Sequence, residues 1–284
     1  MTRKKRQVGS SSRIVRGTVA GSAAMLGLAF AGAGVAQAKT PPNPEFEQFA
    51  GCPVYVKHLA DCLVATTTSG EFKLGNKTVP ITKPVILQGG IIEGSHVLVP
   101  ANDGNTLSRT PLTVPGGLTG LEALPLGEVI AVTELAGPVE VFEENLSDGR
   151  GPAVKLPVKV KLENSVLGEE CYVGSDTEPI VLELTTGTTK PPSGTEPITG
   201  KAGVAGFNPP LTIVTISGAS LVDNTFTAPG VTGCGGALSF LLDPVVDLQV
   251  GLPAAAGASK AVLNGSLAET DTKDVKKAKV VPKG

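Results

Sequence analysis

The stretch "FAGCPVYVKHLADC", Phe49 to Cys62, places two cysteines ten residues apart with His58 between them. Zinc ligands come in tighter groups, two to four residues between cysteines or three to five between histidines. The other histidine, His96, stands alone in a different segment. A redox C-x-x-C pair is also absent. The "AGC" matches part of a lipoprotein attachment site, but "KTPPNPEFEQ" separates Cys52 from the preceding apolar run, out of reach of membrane-embedded lipidating enzymes. A disulfide remains. With Cys171 and Cys234 the chain holds four cysteines, an even set that an oxidising compartment converts to two bonds. Of three possible pairings, the expected one is Cys52–Cys62 with Cys171–Cys234, because the first two are close in sequence and the others are then left to each other.

Nucleophilic hydrolysis needs a Ser or Cys beside a base, and the chain has no G-x-S-x-G. Ser95 precedes His96 in "EGSHVLVP", but neighbours on a strand point to opposite faces. Carboxylates are plentiful, among them Glu143, Glu144, Glu169, Glu170, Asp176, Asp223, Asp243 and Asp247. Nothing in their spacing pairs them. Sugar clefts stack pyranose rings on aromatic faces, and the chain has no Trp and two Tyr, Tyr55 and Tyr172. "NDGN" and "SDGR" read as turns, since neither follows the D-x-[DN]-x-[DN]-G calcium pattern. No catalytic residue, metal or cofactor is expected from these motifs.

The elements that must position these residues begin after a leader. Arg3, Lys4, Lys5, Arg6, Arg13 and Arg16 precede the small, apolar run "TVAGSAAMLGLAFAGAGVA", which ends in Ala36-Gln37-Ala38. That is the pattern of a secretory signal, with cleavage expected after Ala38. Removing its six basic residues leaves 18 against 26 acidic ones, a net charge of about −8. Without a basic stripe or interleaved aromatics, a nucleic-acid partner is excluded. No further run reaches the ~18 apolar residues of a spanning helix, so no membrane span is expected after cleavage.

Residues 39–268 read as a secreted β-rich domain, or two β subdomains. "VKLPVKVKLE", Val154 to Glu163, alternates apolar and charged residues with the period of a half-wet strand. "CLVATTT", "KTVPITKPVILQ", "HVLVP", "GEVIAVTEL", "PVEVFEE", "PIVLELTTG" and "LTIVTISG" are similar β-branched runs between turn residues. The fold class is therefore all-β, an antiparallel sandwich or barrel. One short helix is expected from Pro244 to Val250, with Asp243 as its N-cap. Two long Gly/Pro-rich loops, Pro100 to Gly120 and Thr186 to Gly200, are the candidate contact regions. Residues 269–284 read as a flexible charged tail.

The runs "LENSVLGEECYVGSDTEPIVLELTTGTTKPP", "LVDNTFTAPGVTGCGG" and "GLPAAAGASKAVLNG" lie between about Leu162 and Gly265. Over this part the chain resembles exported proteins of unknown function from high-GC Gram-positive bacteria. The resemblance implies export, the Cys171–Cys234 pairing and a β-rich body, and no particular chemistry. Together these features point to a secreted or cell-envelope-associated β protein with a structural or binding role. Its partner would be an unidentified envelope or extracellular component. The alternative is an extracellular hydrolase using loop carboxylates, or His96 with a distant Ser or Asp.

Overall fold

The computed structural model describes residues 43–117 and 128–282. The expected signal, 1–38, lies outside them, as do residues 118–120 of the first long loop. In chain order the strands are β1 (Leu59–Leu74), β2 (Lys77–Pro80), β3 (Val85–Ile92), β4 (Leu98–Pro100), β5 (Leu112–Thr113), β6 (Ile130–Leu135) and β7 (Glu140–Val141). After helix α1 (Glu143–Asp148) come β8 (Val154–Glu163), β9 (Tyr172–Val173), β10 (Ile180–Leu184), β11 (Val204–Asn208), β12 (Ile213–Asp223) and β13 (Val231–Thr232). Helix α2 (Ser239–Val250), strand β14 (Lys260–Asp271) and helix α3 (Thr272–Ala278) follow.

The strands form two antiparallel sheets. Sheet 1 runs β11-β12-β14-β1-β3-β4, with β2 on β1; sheet 2 runs β13-β9-β8-β6-β5, with β7 and β10 on β8. Between them lies the main core, to which β8 contributes Val154, Leu156, Val158, Val160 and Leu162 at alternate positions. The intervening Lys155, Lys159 and Lys161 reach Glu183, Asp176 and Glu163 on the wet side. A proline in a central strand ordinarily removes a ladder bond. Pro157 avoids this, because its carbonyl accepts from Ala136 N and so faces the gap where β6 ends and β7 begins. Backbone bonds stitch the sheets together at Leu98–Val139 and Thr185–Val222. The result is a sandwich rather than a closed barrel, as the all-β reading anticipates.

Sheet 1 is apolar on both faces. Leu63 and Leu267 point into the main core, while Cys62, Val64, Ile213 and Ala268 point outward into a second, smaller core. That outer core is roofed by the 3-10 turn Pro44–Phe49, through Phe46 and Phe49, and by α3, through Val275. The Cys52–Cys62 bond sits within it, with Cα atoms 5.6 Å apart. Cys171–Cys234 lies in the main core. The pairing is the expected one, and no described cysteine is free.

Two expectations are corrected. Residues 269–284 are not a mobile tail as far as they are described: Glu269, Thr270 and Asp271 complete β14, and Asp271 caps α3 by accepting from Lys273 N at 2.6 Å. Fully buried Val275 and buried Val281 then anchor the segment to the outer core. The C-terminal helix also starts earlier than Pro244. It runs from Ser239 with Pro244 inside it, because the Asp243 carboxylate faces sheet 2 rather than capping a helix there.

Candidate functional site

Helix α2 reverses the usual arrangement of a surface helix, which turns its polar residues to water. Asp243 accepts from Cys234 N at 2.8 Å and Gly233 N at 3.2 Å. One turn on, Asp247 accepts from Val231 N at 2.7 Å. Both carboxylates thus face inward and tie the helix to β13 and to the Cys171–Cys234 bond. Burial is the main cause holding the Asp247 carboxyl above its ordinary range, with Asp243 adding to it and the Val231 hydrogen bond opposing. Val246 and Val250 enter the core beside them.

The flank of α2 beside these half-buried carboxylates, with the turn before it, is left to solvent and is largely apolar. Phe240 is 71% exposed and Leu248 76%, with Leu241 and Pro244 also exposed between them and Leu238 just before. Asp243 and Asp247 border this run, engaged with the backbone N–H groups of Val231, Gly233 and Cys234. Scattered apolar residues on a surface are ordinary, but a contiguous group of this kind marks a contact surface.

A second constellation lies at one end of sheet 1. Register pairs Asp61 with Asp271 and Leu63 with Glu269, so Asp61, Asp271 and Glu269 share the face that Leu63 turns to the core. Glu143, the first residue of α1, meets them there. Burial, then the charges of Glu143 and Asp61, and a side-chain hydrogen bond with Glu143 push the Glu269 carboxyl up to about 8. Asp61 is also raised, by burial first and then by Glu143, Asp271 and Glu93, while Lys273 opposes. Glu269 therefore holds a proton near neutrality beside an exposed Glu143. Among the described residues no group of three His, Cys, Asp or Glu side chains is arranged to hold a metal ion.

The remaining sequence candidates are dispersed. His58 is exposed in a turn at φ 60°, and Tyr55 is exposed near it. His96 is exposed and packs on the Phe142 ring at 4.6 Å, while Ser95 Oγ accepts from Val97 N within its own turn. Asp223 is wholly buried and accepts from Glu183 N and from Thr225 N and Oγ1. Asp176 pairs with Lys159, and Glu144, Glu169 and Glu170 are exposed. Both long loops are tied down where they are described. Thr106 is buried and bonds Ala101 N and Gln88 N, and buried Thr189 bonds Ile198 and Asn224.

Sequence reasoning missed Asp61, Glu269 and the α2 face. Asp61 and Glu269 meet only through the β1–β14 pairing, which no local pattern announces. The α2 face was legible in principle, since "ALSFLLDPVVDLQV" carries two acidic residues four apart and little else that is polar. Compared with protein-family models, curated proteins and solved structures, the chain matches none.

Proposed function

We propose that this chain is a secreted or cell-envelope-associated β protein with a non-catalytic binding role, and that the solvent face of α2 is its contact surface. The observation that carries the reading is that Asp243 and Asp247 spend their carboxylates on backbone N–H groups of β13 and the Cys234 turn, while Phe240, Leu241 and Leu248 beside them stand exposed. Two disulfides suit an oxidising compartment. No helix among the described residues is long and apolar enough to cross a membrane. The acidic balance expected of the exported chain repels anionic lipid headgroups, so the partner that fits is an apolar patch on another envelope or extracellular protein.

The double substitution L241S/L248S tests this. Both side chains are exposed, so the fold is retained, and association with purified cell envelope is expected to drop at least about tenfold, as for loss of an interface anchor. Undiminished association would remove α2 as the binding surface.

A hydrolase is the second reading, favoured by one observation: a proton-bearing Glu269 in contact with Glu143. Such a pair supplies a general acid beside a carboxylate. Profiling against ester, peptide and glycoside substrates, with E269Q as control, decides it. Turnover abolished by E269Q would establish catalysis, and no turnover by the native protein would end the reading.

A further inference from the structure

Strand β11, "VAGFN", forms one border of sheet 1 and, among the described residues, pairs only with β12, from Val204 opposite Ser217 to Asn208 opposite Ile213. An edge strand presents a row of unpaired backbone N–H and C=O groups, and proteins usually blunt such edges with charge, proline or a covering element. Three other border strands are treated that way. β4 ends in Pro100, and the neighbouring Val97 bridges to β7. β2 carries Lys77 and Pro80, and on β10 the Glu183 N–H is taken by the Asp223 carboxylate. β11 has no charge and no proline. Val204 is 74% exposed and Phe207 61%.

From this we infer that β11 pairs antiparallel with β11 of a second copy of this chain, joining two sheets 1 across a two-fold axis. The pattern is self-complementary about Gly206. Val204 falls opposite Asn208 of the other copy on one face, and on the other face Ala205 falls opposite Phe207, so by symmetry a phenylalanine meets an alanine twice there. Pro209 and Pro210 limit the pairing to these five residues, since neither has an N–H to offer.

Charge selects a second copy over an arbitrary extended peptide. Lys201, just before β11, is exposed and has no ion-pair partner among the described residues. At the other end of the strand Glu45 accepts from the Asn208 amide at 3.2 Å. Antiparallel pairing carries each Lys201 toward the Glu45 end of its neighbour, twice by symmetry. Parallel pairing would set lysine beside lysine.

The test is the mass of the purified native protein in solution, by sedimentation equilibrium over a roughly hundred-fold concentration range. The wild type is expected at twice the chain mass at the upper end. V204K/F207K is expected at the single-chain mass throughout, with an unchanged melting temperature because both positions are exposed. K201E and E45K are each expected to dissociate the pair, and the K201E/E45K double substitution to restore it. That restoration is a result a merely structural role would not give. A wild type that stays at the single-chain mass overturns the inference. So does a V204K/F207K protein that still doubles, or a double charge reversal that fails to recover. Loss of the doubled mass in L241S/L248S, with V204K/F207K unaffected, would place the contact on α2 instead.

Discussion

Glu269 keeps its proton near neutrality in the folded chain, because burial and the charges of Glu143 and Asp61 disfavour its carboxylate. Unfolded, the same carboxyl ionises near its ordinary value of 4.5. Between about 4.5 and about 8 the folded state therefore binds more protons, and linkage makes stability fall as pH rises through that window. Below it both states are protonated and the penalty is absent; above it both are ionised and the penalty is fully expressed. Glu269→Gln keeps the shape and removes the titration. Urea titrations across the window are expected to show a stability decline in the wild type that is largely lost in the variant. A variant with the full decline would move its origin to Asp61, the other raised carboxyl in the cluster. At this scale the sequence was partly readable. The four cysteines could be paired from spacing and count, whereas the carboxylate that titrates anomalously lies in residues that composition marks as tail.

The last helix shows why an element can be misread from local composition. α3 contains three lysines, one aspartate and a single large apolar residue, Val275. Nothing in that run predicts a packed helix. Its stability comes from Phe46, Phe49 and the Cys52–Cys62 bond, some two hundred residues earlier, which make a pocket for Val275 on the outer face of sheet 1. Val275→Ala is expected to cost about 2 kcal/mol, measured as a lower urea midpoint, whereas a loose tail would show no change. The opposite case is β8, legible residue by residue because its Val/Leu and Lys positions alternate and both faces meet what the alternation demands. α2 falls between: its C-terminal end was placed correctly, and its start was missed because Asp-Pro is a common helix opening and here is not one.

For the whole molecule, composition and strand pattern identified the class, since 23 Pro and 36 Gly leave few long helical windows and β-branched runs recur between them. The division into two sheets was not legible, and neither was the strand order. β14, "KAVLNGSLAETD", lies between β1 and β12, yet its alternation is interrupted by Asn264, Gly265 and Ser266, where β1 and β12 each shift register opposite it. The extra residues sit in the neighbours, Thr68 of β1 and Gly218 of β12, so both bulge opposite the polar break in β14, and no local run announces that pairing.

The β1–β14 pairing also governs when this protein can become itself. Its register joins Asp61 to Asp271, and β12 reaches the rest of sheet 1 only through β14. A nascent chain therefore has the first strand of sheet 1 waiting without its partner. Closing the sheet means closing a loop nearly as long as the domain, the kind of distant contact that slows folding most. Until residue 271 arrives, Leu63 has nothing to bury against on that side, and the pocket that receives Val275 is incomplete. Assembly is consequently a late event, set by completion of the last strand rather than by synthesis of the first.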